Sequence, residues 1–194
     1  MRNATIKRKT TETDITLSLS LDGKGEHDIS TGVAFLDHML SLMTRHGLFN
    51  MTIRAKGDLE VDAHHTVEDV GLCLGKALSQ ALGTKEKMVR YGSARVPMDE
   101  ALAQVDVDIC SRPYMVLNAR IPKKKLGQFD AELTREFLTA LATSAQITLH
   151  VNLLYGENLH HCIEAIFKAL GRALSQATRL DERIEGVMST KGEL

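Results

Sequence analysis

The stretch HHTVEDVGLCLGKALSQAL, residues 64–82, is written again as HHCIEAIFKALGRALSQAT at residues 160–178. The offset is a constant 96 residues, and ten of the nineteen positions are identical. A duplication kept only for folding would preserve its apolar positions and let the polar ones drift. Here each copy also opens with two adjacent histidines and a glutamate three residues on: His64, His65 and Glu68, then His160, His161 and Glu164. Three metal-capable side chains per copy point to a site as well as a scaffold.

The repeat divides the 194 residues into two units, 1–87 and 88–194, each near the small end of the domain range. Sharing one core in a single subunit is the economical arrangement. Residues 13–21 alternate Ile15, Leu17, Leu19 and Leu21 with polar side chains, the period of a half-buried strand. Asp22-Gly23-Lys24-Gly25 predicts a turn, with residues 26–29 returning as the second strand of a hairpin. Helical spacing follows over residues 33–46 through Phe35, Leu36, Met39, Leu40 and Met43, with Gly47 as a stop. Residues 49–55 read as a strand, and the first His-His helix then runs to Leu82, ended by Gly83.

The second unit follows the same order. Residues 91–98, 101–109, 114–121 and 147–154 read as strands, Asp130 as the cap of a helix to residue 144, and residues 155–158 as the turn into the second His-His helix. The expected fold is α+β, with two antiparallel-containing sheets and four helices packed between or against them. Residues 122–127, which carry three consecutive lysines, read as an exposed connector.

Composition excludes several function classes. Apolar content of 43% and charged content of 25% are those of a soluble globular protein. A net charge of −1 gives no electrostatic reason for a nucleic-acid or anionic-membrane partner. The first residues lack the apolar core of a signal peptide, and no run approaches the ~18 apolar residues that a bilayer span requires. Cys73, Cys110 and Cys162 are odd in number and unpaired in spacing, as expected of reduced thiols in a cytoplasmic protein.

Successive helical residues turn by ~100°, so His64, His65 and Glu68 project from one side of a first turn. The two histidines nevertheless diverge, which suits two neighbouring ions, or one inside the subunit and one across an interface. Imidazole with carboxylate suits Mn²⁺, Fe²⁺, Zn²⁺ or Co²⁺, and the lack of paired thiols argues against a structural zinc site. His38 is a further candidate on the preceding helix; His46, His27 and His150 have weaker claims. HExxH, Gly-x-Ser-x-Gly and phosphate-loop patterns are absent from the sequence.

Further segments occur in a fixed order: Thr11-Glu12-Thr13, Phe35-Leu36-Asp37-His38-Met39-Leu40, Arg45-His46-Gly47, Arg90-Tyr91-Gly92, Met98-Asp99-Glu100-Ala101-Leu102, Arg112-Pro113-Tyr114, Glu164-Ala165-Ile166-Phe167-Lys168-Ala169 and Ser189-Thr190-Lys191-Gly192. Together with the two His-His motifs they resemble the imidazoleglycerol-phosphate dehydratase family of histidine biosynthesis over essentially the whole chain. The resemblance implies a duplicated fold of the ribosomal S5 domain 2-like type, with a four-helix layer sandwiched between two sheets. It implies a homo-oligomer of 24 subunits with two Mn²⁺ per active site at subunit contacts. The ligands carried over are His38, His64, His65, Glu68, His160, His161 and Glu164. The family commonly adds a histidine on the third helix, and that register lands on Glu136, a carboxylate able to ligate Mn²⁺. Where the family usually has Ser-Gly before Arg112, this chain has Cys110-Ser111.

The implied reaction removes water from D-erythro-imidazole-glycerol phosphate to give imidazole-acetol phosphate. The ion pair would hold the imidazole ring and help it expel the neighbouring hydroxyl. Glu12 is the family-matched base for the C–H proton, with Asp108 a runner-up acid/base group. Arg90, Arg112, Lys168, Ser189 and Lys191 take the family's phosphate-binding positions, with His38 and His46 also facing substrate. Lys168 has a geometric argument as well, since it lies two turns beyond His161 on nearly the same face. The tail at residues 189–192 is small and polar enough to close over a ligand. Two other classes fit a repeated HHxxE. A two-metal phosphatase would need a bridging carboxylate that the motif does not offer. A metal-assembled cage or buffer would leave Glu12, Arg90, Arg112 and Lys168 without a task.

Overall fold

A computed structural model describes residues 2–194. β1 (Asn3–Lys9) and β2 (Thr13–Ser20) form an antiparallel hairpin whose turn is held by Thr10, its hydroxyl accepting the N–H of Glu12 at 3.1 Å and of Thr13 at 2.9 Å. The alternation read from the sequence holds in β2, where Ile15, Leu17 and Leu19 are buried. The hairpin expected after Asp22 does not form. β3 (His27–Ser30) instead crosses to the far edge and pairs in parallel with β4 (Asn50–Gly57), giving the order β1-β2-β4-β3. Both edges of β2 are already taken, one by β4 and one by β1. β1 leaves little trace in the sequence because only Ile6 is buried among charged neighbours.

The second sheet has the same order, β5-β6-β10-β7, from Tyr91–Met98, Ala101–Asp108, Thr148–Tyr155 and Tyr114–Asn118, again with the outer pair parallel. Four helices lie between the sheets: α1 (Ala34–Gly47), α2 (His64–Leu82), α3 (Leu133–Ala145) and α4 (Leu159–Ala177). α2 covers β1 and β2 and packs on α3; α4 covers β5 and β6 and packs on α1. Buried on several sides at once, α4 hides Ile163, Ile166, Phe167, Leu170 and Leu174. Each such side chain contributes about 1.5–3 kcal/mol. Phe167 also stacks on Phe137 of α3 with ring centroids 5.3 Å apart.

Small residues permit the close helix seams. A Cβ on Gly171 of α4 would stand 2.3 Å from the Met43 carbonyl oxygen of α1, and one on Gly75 of α2 would stand 2.7 Å from the Leu141 carbonyl oxygen of α3. Gly75 and Gly171 are themselves related by the 96-residue offset.

Two expectations are corrected within the second half. Residues 122–127 do not form a plain connector: Lys125–Leu126 (β8) pairs with Phe129–Asp130 (β9), and Lys123 reaches Glu132 at 3.5 Å. Asp130 is engaged in that small hairpin, facing Lys125 at 3.4 Å, so it caps nothing; α3 begins at Leu133 with no side-chain cap.

Candidate active site

Both motif helices start on an Asx side chain. Asp62 Oδ1 accepts the N–H of His64 at 2.7 Å, and Asn158 Oδ1 accepts that of His160 at 2.9 Å, again 96 residues apart. Satisfying a first-turn donor fixes where each helix begins and hence where its histidines project. The expected divergence is present: the rings of His64 and His65 are 6.2 Å apart and 81° from coplanar, those of His160 and His161 6.3 Å and 80°.

The seam between α1 and α4 brings His38 beside His160 and Glu164. Their donor atoms all lie within 4.8 Å of one another, the only such group of three among the described residues. Glu164 Oε2 is 3.1 Å from His160 Nε2 and 3.6 Å from His38 Nε2. Glu164 is buried, which by itself pushes its carboxyl up, but Lys168 at 2.6 Å and the two histidines outweigh burial and hold it below its ordinary value. Two imidazole nitrogens and one ionised carboxylate form a donor set that fits a divalent transition-metal ion.

The first motif is more open. His64 Nε2 lies 3.9 Å from Glu68 Oε2, and His64 shares with Glu136 a groove of about 390 Å³ beside the start of α3. Glu136 stands in α3 where His38 stands in α1, each just before a buried apolar pair, Phe137-Leu138 and Met39-Leu40. Among the described residues no third donor joins His64 and Glu68.

The second histidine of each motif is held from its Nδ1 side. His65 Nδ1 is 3.0 Å from Asp58 Oδ2, with Glu12 Oε2 at 3.8 Å; His161 Nδ1 is 2.7 Å from Glu100 Oε2. A carboxylate at Nδ1 keeps the proton there and leaves Nε2 open as a ligand. The hydrogen bond to Asp58 raises the His65 pKa, and that to Glu100 raises the pKa of His161. Glu100 falls to about 2, through His161 and then the backbone N–H of Asn158. Beneath the Glu12 turn, buried Asp69 accepts from the Thr13 hydroxyl at 2.5 Å and pairs with Arg8 at 2.9 Å, tying α2 to the first hairpin.

The residues expected at a phosphate fall into two groups. Arg90 donates to Asp108 at 2.7 Å and to the Met188 carbonyl at 2.8 Å, which places the tail of Ser189 and Lys191 beside it, and Arg112 stands 3.8 Å from Asp108. Asp108, weighed above as an acid or base, is occupied by these guanidiniums. Lys168 lies instead on Glu164. His46 lines a depression of about 400 Å³ with Arg95, Arg172 and Arg179. Burial first, then Lys168 and Arg172, lowers the His46 pKa.

Sequence reasoning gave no role to Asp58, Asp62, Asp69, Glu100 or Asn158. Two signals were available: an Asx residue two positions before each His-His start, and a glutamate immediately before β2 and β6 (Glu12 and Glu100). All three cysteines are buried and unpaired, burial pushing Cys73 up to about 11. Among the described residues no helix is long and apolar enough to cross a membrane.

Comparison with known proteins places the chain as a whole. The family profile described as imidazoleglycerol-phosphate dehydratase matches residues 31–174. An imidazoleglycerol-phosphate dehydratase of Acetivibrio thermocellus is 61% identical over 193 residues, covering 100% of this chain and 99% of that protein. One of Pelobacter propionicus is 59% identical at the same coverage. The crystal structure of the Staphylococcus aureus enzyme superposes with a TM-score of 0.84 at 42% identity, covering 92% of this chain and 99% of that one. The Pyrococcus furiosus enzyme, solved in complex with (S)-C348, gives 0.84 at 41% identity, covering 97% and 100%. The chain therefore belongs to the imidazoleglycerol-phosphate dehydratase family, hydro-lyases of histidine biosynthesis that act on a small phosphorylated substrate.

Proposed function

We propose that this chain converts D-erythro-imidazole-glycerol phosphate to imidazole-acetol phosphate with two Mn²⁺ per active site. The observation that carries the metal is the His38–His160–Glu164 group, three convergent donors on two packed helices. The remaining ligands are His64, His65, Glu68, Glu136 and His161. Bound there, the cations would hold the imidazole ring and favour negative charge on it. The chain supplies the rest. Asp58 and Glu100 orient the two inner imidazoles. Glu12, beside His65, takes the proton from the carbon next to the departing hydroxyl. That hydroxyl departs with the abstracted proton as water, and the enol relaxes to the ketone as its hydroxyl proton moves to the carbon. Arg90, Arg112, Ser189 and Lys191 from one group, and Lys168 and His46 from the other, hold the phosphate, with the tail closing over it.

The division of these residues between separate places on one chain supports an active site completed across subunit contacts in a homo-oligomer of 24 copies. Tyr114 and Tyr155, 65% and 62% exposed, are apolar surface available to such contacts. The two sheets of equal strand order support residues 1–87 and 88–194 as duplicated halves. Buried, unpaired cysteines fit residence in the cytoplasm.

Metal analysis coupled to a dehydration assay tests the reading. Manganese should co-purify with activity, chelation should remove both, and Mn²⁺ should restore both. An active preparation free of transition metal would refute it.

A further inference from the structure

Glu12 and Glu100 hold the same place in the two sheets, each the residue immediately before β2 or β6. Each faces the second histidine of the motif on the helix that covers its sheet. Their engagements differ. Glu100 is taken up by His161 Nδ1 at 2.7 Å and by the backbone N–H of Asn158 at 2.7 Å. Glu12 stays 3.8 Å from His65 Nδ1, beyond hydrogen-bond range, because Asp58 Oδ2 is already there at 3.0 Å.

Asp58 comes from the connection between β4 and α2, residues 58–63. The matching connection between β10 and α4 is only residues 156–158, and Glu157 there gives its backbone N–H to Glu100. The backbone also joins Asp58 to Glu12, the Asp58 N–H donating to the Glu12 carbonyl at 3.1 Å. Two carboxylates therefore approach one imidazole, and the nearer one decides what the other is free to do.

We infer that Asp58 is a positioning residue that keeps Glu12 free: by accepting the Nδ1–H of His65 it leaves the Glu12 carboxylate unbonded and able to receive a substrate proton. In the second half no residue performs that service, and Glu100 is committed to holding His161. Without the Asp58 carboxylate, His65 Nδ1–H has Glu12 as its nearest acceptor, and a shift of about 1 Å in a half-exposed side chain closes the bond. A carboxylate held this way is a weaker and worse-placed base. This rests on Glu12 being the base, as proposed above.

The test uses the Mn²⁺-loaded enzyme carrying Asp58→Ala, Asp58→Asn or Glu12→Gln, reading kcat, KM, bound manganese and the crystal structure. Asp58→Ala should lower kcat by about 10–10²-fold, part of the about 10²–10⁴-fold that a general base contributes. KM and bound manganese should stay within about twofold of wild type, and Glu12 should move onto His65 Nδ1. Asp58→Asn, whose amide oxygen still accepts, should recover most of kcat. If Asp58→Ala does not assemble, Asp58→Ser, too short to reach the ring, replaces it. The inference is overturned if Asp58→Ala keeps wild-type kcat, if manganese is lost in step with kcat, or if Asp58→Asn is as impaired as Asp58→Ala. Wild-type turnover in Glu12→Gln would remove the base assignment and the inference with it. An inactive Glu12→Gln beside a fully active Asp58→Ala would remove the inference alone.

Discussion

Glu68 and Glu164 sit at the same position of a repeated motif, yet their surroundings are opposite. The Glu164 side chain is 9% exposed and meets two histidines and a lysine; that of Glu68 is 48% exposed and lies 3.9 Å from His64. The helix packed alongside makes part of the difference, because α1 offers His38 to the second motif whereas α3 presents Glu136 towards the first. Glu136 lines the groove beside His64, where the second motif has the His38 imidazole closing on Glu164. One turn along the helix makes the rest: Lys168 stands four residues beyond Glu164, and Leu72 four beyond Glu68. One motif thus yields a formed donor group at one end and a waiting one at the other.

The largest effect should come from removing a ligand at either end. His64→Ala and His160→Ala should both abolish turnover if the two ends act in one site, and His161→Ala should do the same. Bound metal should separate them: His160→Ala empties the formed group, while His64→Ala leaves that group able to bind. Manganese per subunit, read beside the dehydration rate, checks this. Full activity in one variant would break the comparison by showing that only one end works.

A smaller effect is expected at the glycines of the two helix seams. Alanine is the better helix former by about 1 kcal/mol, but at position 171 its Cβ would stand 2.3 Å from a backbone oxygen of α1, which cannot swing aside. Overpacking of this kind costs about 1–3 kcal/mol, so Gly171→Ala should destabilise. It should also weaken metal binding, because the same seam carries His38 to His160. Gly75→Ala should destabilise as well, meeting Ser144 Cβ at 2.6 Å and the Leu141 carbonyl at 2.7 Å, with less effect on the metal. Urea unfolding and metal titration would separate the two seams, and a gain in stability at position 171 would contradict the close approach.

The parts legible in the sequence were those that repeat or alternate. The His-His helices carry both an apolar period and an exact offset, which gave six candidate donors; His38 and Glu136 joined the ligand set through the family resemblance, and all eight lie on the four helices. β1 escaped because its neighbours outnumber its single buried side chain, and the mistaken hairpin followed because strand partners are chosen by free edges, which no local pattern records. Asp58 and Glu100 escaped for a related reason. Each is a turn residue without period, and Glu100 meets His161 across 61 positions of chain. The partner of Asp108 is equally invisible in the sequence, because Arg90 lies eighteen residues away, just before β5.

The smallest expected effect concerns Lys168, the residue that most distinguishes the two ends. It lies 2.6 Å from Glu164 Oε1 and is the residue of that end proposed above to hold the substrate phosphate. If it serves the substrate, Lys168→Ala should raise KM about tenfold, the worth of one charge-assisted hydrogen bond of about 1.5 kcal/mol. If it serves Glu164, its loss leaves burial less opposed and the carboxyl pKa rises. The sign for stability then follows. A carboxyl held below its unfolded value contributes stability that is present above the ordinary carboxylate range and disappears as pH falls through the lowered value. Lys168→Ala should therefore move acid unfolding of the metal-free protein to higher pH. We expect both changes, with KM read in the loaded enzyme and the acid midpoint in the stripped one. A variant changed in neither would make Lys168 a solvated charge and leave the histidines alone to account for the difference between the two glutamates.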